Sequence, residues 1–132
     1  MKTAAAHWLL TGVLLASGTL RADAPLPDAL RAGWQGKPVC EQLREGPGHR
    51  LLRCTFAPGV GHERHFHPAH TGYALSGGTM RITDTTGTRD QVLQTGASYT
   101  SIGTAWHEVV NVGTTPVIYL IYEQTPAHPA PR

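Results

Sequence analysis

The chain has 132 residues, which suits one domain and leaves no room for two ordinary hydrophobic cores. Eleven lysines and arginines against nine aspartates and glutamates give a formal charge of +2, and no basic run points to a nucleic-acid partner. Fifteen glycines and ten prolines, spread along the chain, favour many short strands and turns over helices.

The first residues have the composition of an export signal. Lys2 gives a positive start, a mostly apolar run covers 4–20, and Ala22-Asp23-Ala24 offers a small-x-small cleavage pattern. We predict that residues 1–24 are a signal peptide whose removal, at a site that stays open, leaves a periplasmic or secreted protein without a membrane segment. The alternative is an uncleaved N-terminal anchor, although the apolar run is short for a membrane span.

Residues 25–36 form an approach segment before the main domain. The sequence LPDALRAGW allows one or two helical turns, with Asp28 near their start and Gly33 at their end. We expect the leucines and Trp34 to cover one end of the domain.

Residues 37–56 predict a β-hairpin, because two strand-like runs flank a turn sequence with two glycines and a proline. A turn centred on Pro47 would pair Leu43 with Leu51, Glu41 with Arg53, and Cys40 with Cys54. Directly opposed strand residues are close enough for a disulfide, and an exported chain meets an oxidising compartment. We therefore predict a Cys40–Cys54 disulfide, with two buried thiols out of register as the alternative.

Short strands separated by turn sequences continue after the histidine-rich segment. The predicted strands cover residues 79–83, 89–93, 98–102, 106–111 and 117–123. Such short strands at regular spacing indicate a β-sandwich or barrel, and the apolar sequence VIYLIYE of the last strand predicts the most buried one. Residues 125–132 are Pro-rich and hold no core material, so we predict a disordered tail.

Four of the eight histidines, at positions 62, 65, 67 and 70, fall within nine residues. His65 and His67 are spaced i, i+2, which on a strand puts both imidazoles on the same face. Such a pair supplies half of a metal site, and His107 in a later strand can supply a third imidazole from a remote segment.

These two segments resemble the two motifs of the cupin superfamily. The first motif has a glycine, five residues and His-x-His, which Gly59 and His65-Phe66-His67 match. In the second motif a glycine precedes a histidine and an asparagine, with the spacing of Gly96, His107 and Asn111. Ile102 stands where the second motif has proline. The resemblance covers roughly residues 39–123.

The resemblance implies an all-β, single-domain cupin β-barrel, a jelly roll or double-stranded β-helix, over residues 37–124. His70 stands where the family usually has a glutamate ligand, one residue closer to His67 than usual. We therefore predict a metal site of His65, His67, His70 and His107, or three of these with His70 hydrogen-bonded beside them. Nitrogen ligands suit Fe, Zn, Cu, Ni or Co, among which the sequence does not choose, and exclude Mg or Ca.

Other polar residues are weaker candidates. Glu63 lies on the same strand face as His65 and could be a general base or accept a hydrogen bond from a metal-binding histidine, with a solvated loop carboxylate as the alternative. Tyr73 could line the pocket as a catalytic residue, although such tyrosines more often form the barrel wall. We expect His62 at the surface because of its loop position, with a place beside the metal as the alternative. Asn111 is expected to fix a turn and not to bind the metal.

The expected function is that of an exported, metal-dependent enzyme, an oxygenase or a lyase or isomerase, acting on a small polar or anionic molecule inside the barrel. The alternatives are a non-catalytic, metal-dependent module that binds a small ligand, and a structural metal site. The sequence contains no obvious catalytic acid–base pair, so enzymatic activity stays open. The resemblance is also compatible with a homodimer.

Overall fold

The computed structural model describes residues 24–126, so most of the predicted signal peptide and the end of the Pro-rich tail lie outside the described residues. No helix in that part of the chain has the length and hydropathy of a membrane span. The strands are β1 (Gly33–Trp34), β2 (Lys37–Pro38), β3 (Cys40–Gly46), β4 (His49–Phe56), β5 (Gly61–His67), β6 (His70–Ser76), β7 (Gly78–Asp84), β8 (Gly87–Leu93), β9 (Ser98–Ser101), β10 (Thr104–Asn111) and β11 (Val117–Gln124).

Two antiparallel sheets form the walls of the domain. The four-stranded sheet has the order β5-β10-β7-β8, and the five-stranded sheet has the order β3-β4-β11-β6-β9. Strands β1 and β2 pair only with each other in a small separate ribbon. This arrangement confirms the predicted all-β jelly roll.

The hydrophobic core lies between the two sheets, because alternate residues of each strand face inward. Strand β11 shows this alternation along its whole length, and every second residue from Val117 to Glu123 is buried. Phe56 on β4 and Met80 on β7 meet it from both sheets. Full burial of a side chain such as Phe56 or Ile121 contributes roughly 1.5–3 kcal/mol.

The approach segment forms one turn that is not continued into a helix. The main-chain N–H groups of Arg31 and Ala32 donate to the carbonyl of Asp28 at 3.2 and 2.9 Å. The Asp28 carboxylate accepts a further bond from the N–H of Arg31, and Gly33 already begins β1. The expected one or two helical turns are therefore a single hydrogen-bonded turn, which places the fully buried Ala29 against the core.

The β3–β4 hairpin has the predicted pairing at its far end and a different pairing near its turn. Cys40 lies opposite Cys54 and the two form a disulfide, as predicted. A β-bulge between Gln42 and Arg44 shifts the rest, so Leu51 faces Arg44 and the predicted Leu43–Leu51 pair is wrong. The disulfide closes a short loop and stabilises the fold by roughly 3 kcal/mol.

Candidate metal centre

Two β-bulges aim the histidines of β5 and β10 into the barrel. His65 lies directly opposite His107, while His62 lies opposite Val109 and His67 opposite Thr104. Strand β5 therefore has one extra residue on one side of the His65–His107 pair, and β10 has one on the other side. An extra residue breaks the strict alternation of a strand, so His62 and His65 both point inward despite their odd spacing.

The Nε2 atoms of three histidines converge and define the three-histidine cluster. The Nε2 atoms of His65 and His67 are 2.9 Å apart, those of His67 and His107 are 3.1 Å apart, and those of His107 and His65 are 3.0 Å apart. Nitrogens bound at about 2.1 Å to one ion lie about 3.0–3.4 Å from one another, depending on the coordination geometry. These three nitrogens are therefore spaced to hold one metal ion.

The hydrogen bonds behind the cluster fix the tautomers of the neutral His65 and His67 rings. His65 Nδ1 donates to the Glu63 carbonyl and His67 Nδ1 donates to Glu123 Oε1, both at 2.6 Å. A neutral imidazole carries one N–H, so the Nε2 of each ring is the unprotonated nitrogen. Two lone pairs that face each other at 2.9 Å repel unless a proton or a cation lies between them. The donor set therefore fits a nitrogen-seeking metal ion.

A buried carboxylate orients His67 from behind. Glu123 is fully buried, its Oε1 accepts from His67, and its Oε2 accepts from Arg50 Nε at 2.7 Å and Nη2 at 2.6 Å. Burial alone raises the pKa of Glu123, but the hydrogen bonds from His67 and Arg50 outweigh it, so the pKa is lowered. Arg50 Nη1 also contacts Asp28 Oδ2 at 3.3 Å, which connects the approach segment to the site. Such carboxylate–histidine pairs fix the ring and its tautomer for metal binding.

His62 lies inside the barrel, so its expected surface position is wrong. Its side chain is 1% exposed, and its ring centroid is 3.7 Å from that of His65. Its Nε2 has no hydrogen-bond partner among the described residues. His62 therefore packs against the cluster, as the alternative interpretation had it.

Burial favours the neutral form of His62, His65 and His107 in the folded protein. Burial, together with a smaller effect of nearby imidazoles, lowers the pKa of His62 to about 4, that of His65 to about 2 and that of His107 to about 3. Neutral imidazoles are the form that binds metals.

We expect the metal-free protein to lose stability steeply as the pH falls below about 6.5. In the unfolded chain these histidines gain protons near that pH, whereas His62 and His65 in the folded chain stay neutral to much lower pH. The unfolded state then binds more protons, so each histidine costs about 1.4 kcal/mol per pH unit until its folded pKa is reached. Urea unfolding with a chelator at pH 7.5, 6.5 and 5.5 measures this. As the control, a constant m-value would show that the same unfolding transition is measured at each pH. A free energy of unfolding that does not change across this pH range would contradict the neutral state of the buried histidines.

The remaining predicted site residues lie around the cluster in different positions. His70 is buried, its Nδ1 donates to the Pro68 carbonyl at 2.8 Å, and its ring centroid is 4.7 Å from that of His67. It does not belong to the group of three converging nitrogens. Glu63 is exposed and accepts from the main-chain N–H of Gln35 at 2.9 Å, and Tyr73 is 43% exposed. The structure does not bring the side chains of these two to the cluster, and their catalytic role stays a prediction.

Asn111 fixes a turn, as predicted. Its Nδ2 donates to the carbonyls of Phe56 at 2.9 Å and Thr115 at 2.8 Å, and its Oδ1 accepts from the N–H of Gly113 at 3.0 Å. The amide thereby closes the loop between β10 and β11, and its donors and acceptor are occupied.

A cavity of about 300 Å³ lies between the sheets beside the cluster, and His107 belongs to both. Its apolar wall comes from the core side chains of β7, β8, β10 and β11, and its polar wall includes His70, Tyr99 and Arg89. The cavity gives a small molecule room next to the three nitrogens.

Several solved structures have a fold similar to this one. A cupin domain from Bordetella pertussis Tohama I has a TM-score of 0.63 and 19% identity, covering 76% of this chain and 97% of that chain. The Cupin_2 domain of an XRE family transcriptional regulator from Enterobacter cloacae has a TM-score of 0.52 and 17% identity, covering 67% and 96%. A cupin-like protein from Thermotoga maritima has a TM-score of 0.54 and 14% identity, covering 67% and 72%. At such identities these similarities show a shared fold alone.

Comparison with curated proteins gives no match. The sequence model of the cupin domain family matches residues 52–122, which is more than half of the chain and includes both histidine segments. The chain therefore belongs to the cupin family.

Proposed function

We propose that this protein is an exported, metal-dependent cupin enzyme, an oxygenase or a lyase or isomerase, that acts on a small polar or anionic molecule in its barrel. The observation that carries the proposal is the cluster of three Nε2 atoms from His65, His67 and His107 at the edge of a cavity. A bound Fe, Zn, Cu, Ni or Co ion would act there as a Lewis acid that polarises a substrate oxygen.

The chain's own residues support the site in three ways. Glu123 and the Glu63 carbonyl hold the rings of His67 and His65 in one tautomer. The ligand set has no carboxylate, so the ion would keep its full charge and favour an anionic partner. His70 remains our proposed fourth ligand, or a hydrogen-bonding group in the wall of the cavity.

Export and assembly are part of the proposal. The Cys40–Cys54 disulfide is typical of proteins from oxidising compartments, and the first 24 residues have the composition of a signal peptide. A homodimer agrees with the family resemblance.

A non-catalytic, metal-dependent ligand-binding module is the second candidate. It is favoured by the positions of Glu63 and Tyr73, since both are exposed and neither supplies a general base at the cluster. The two candidates share the metal and the cavity and differ in whether the bound molecule reacts.

We expect the purified, untagged protein to contain about one transition-metal ion per chain, because three neutral imidazoles are preorganised for it. Elemental analysis gives the stoichiometry and the identity of the ion. Oxygen uptake and product analysis with a panel of small enols, thiols and carboxylates then separate the two candidates, with the chelator-stripped protein as the control. A bound ion without any substrate consumption supports the binding module. A chain that takes up no transition metal would rule out both.

A further inference from the structure

We infer that the cavity beside the three-histidine cluster binds a small organic carboxylate, and that Arg89 is the residue that binds its carboxylate group. The inference deepens the proposed function. It rests on that function in one respect, namely that the end of the ligand opposite the carboxylate reaches the metal. Arg89 is the one lysine or arginine among the residues that line the cavity.

The sheet register brings Arg89 toward the cluster. His107 on β10 lies opposite Asp84 on β7, and Arg89 on β8 lies opposite Ile82, two residues from Asp84 on the same face. Neighbouring strands are about 4.8 Å apart, so β8 and β10 are separated by roughly 10 Å. A side chain as long as arginine covers much of that distance, and a compact ligand can bridge the remainder.

Asp84 orients Arg89 without using up its donors. Asp84 Oδ2 accepts from Arg89 Nη1 at 2.8 Å, while Asp84 Oδ1 accepts from the N–H and the hydroxyl of Thr86 at 2.8 and 2.6 Å. A guanidinium has five N–H donors, and the described residues offer Arg89 no second acceptor. The Nε and Nη2 edge therefore stays open for a bidentate carboxylate, the partner that the planar guanidinium fits best.

The rest of the cavity wall defines the body of the ligand. Met80, Ile82, Leu93 and Val109 supply apolar surface, and the volume of about 300 Å³ suits a compact molecule. A phosphate dianion would bring two negative charges beside Asp84, so a monoanion is favoured. The expected ligand is therefore a small monocarboxylate with an apolar body.

The matched control lies on the outer face of the same hairpin. Arg81 on β7 forms a bidentate pair with Asp90 on β8, with Nε to Oδ1 at 2.8 Å and Nη2 to Oδ2 at 3.0 Å. Both arginines are about half exposed, 51% for Arg81 and 49% for Arg89, but Arg81 does not line the cavity. Arg81→Gln therefore removes the same charge from the same hairpin away from the site.

The test is calorimetric titration of the full chain, loaded with Co(II), with benzoate and hexanoate and with their neutral amides. We expect Arg89→Gln to weaken carboxylate binding at least about tenfold, because a charge-assisted bidentate contact is lost. Arg89→Lys should keep part of the affinity, since an ammonium supplies the positive charge but not the planar pair of N–H donors of a guanidinium. Arg81→Gln should leave the affinity within about twofold of the wild type.

Equal carboxylate affinities of Arg89→Gln and wild type would overturn the inference, as would wild-type binding of the amides as tightly as the carboxylates, or no carboxylate binding at all. Visible absorption of Co(II) measures the metal separately, and Arg89→Gln should bind Co(II) like the wild type. Should the chain bind no Co(II), the proposed function fails. Carboxylate binding by the metal-free chain with the same dependence on Arg89 would still support the inference.

Discussion

His107→Ala is expected to weaken the binding of Co(II) or Zn(II) by roughly 100- to 1,000-fold. Structural zinc sites with four ligands are worth about 10–16 kcal/mol, so one ligand accounts for about 2.5–4 kcal/mol. His107 is the member of the cluster that comes from the remote strand β10, and its Nε2 lies 3.0 and 3.1 Å from the other two nitrogens. Competition with a chromophoric chelator measures the affinity of each variant.

His49→Ala is the matched control for this prediction. His49 lies at the start of β4, bonds to the carbonyl of Pro47 at 3.0 Å and stacks on Tyr122, away from the cluster. It should bind the ion like the wild type, and unaltered binding by His107→Ala would contradict the three-histidine site. His70→Ala, measured in the same way, shows whether His70 contributes a fourth bond to the metal. If His70 is a ligand, its removal should weaken metal binding by a similar factor.

The cluster itself was predictable because its geometry follows from local rules. The i, i+2 spacing of His65 and His67 places both rings on one face of any regular strand, whatever the strand pairs with. His107, in a later strand, was the candidate for the remote third imidazole that such a pair needs, and the resemblance to the cupin motifs supported it. Spacing and motif together predicted three residues that the structure brings within hydrogen-bonding distance of one another.

The features that sequence reasoning missed depend on pairing between distant segments. The bulge that turns His62 inward exists because β5 has one residue more than β10 between two paired positions, and alternation within β5 cannot show it. The β3–β4 bulge also depends on how two strands pair and not on the pattern within either one. Pro47 and Gly48 form a two-residue turn, so Gly46 pairs with His49, and the register must shift by one residue before it reaches the cysteines.

Glu123 was also missed, although the sequence contains a signal for it. It has the parity of Val117, Tyr119 and Ile121, so the buried face of the most apolar strand ends in a carboxylate. A charged residue is almost never fully buried without a partner, and such a position predicts a functional or paired group. Its partner Arg50 lies 73 residues earlier, on the neighbouring strand β4, and only the β4–β11 pairing reveals it.

We expect Glu123→Gln to lower the free energy of unfolding of the metal-free protein by about 3–5 kcal/mol, the cost of breaking a buried ion pair. The carboxylate has two oxygens and both are used, Oε1 by His67 and Oε2 by Arg50. Glutamine has one acceptor oxygen, so either the imidazole N–H or the buried guanidinium loses its partner. Urea unfolding at pH 7.5, followed by tryptophan fluorescence, measures the loss.

Glu41→Gln is the matched control, because Glu41 forms a carboxylate–guanidinium pair with Arg53 in which both side chains are about half exposed, 57% and 47%. It should cost less than about 1 kcal/mol. The lowered pKa of Glu123 means that its stabilisation holds at neutral pH and is lost as the pH falls through that pKa, so the difference between wild type and Glu123→Gln should narrow in acid. Metal affinity should fall about 10- to 100-fold in Glu123→Gln, since His67 loses the group that orients it. A stability loss in Glu123→Gln no larger than in Glu41→Gln would show that the buried carboxylate does not hold the site together.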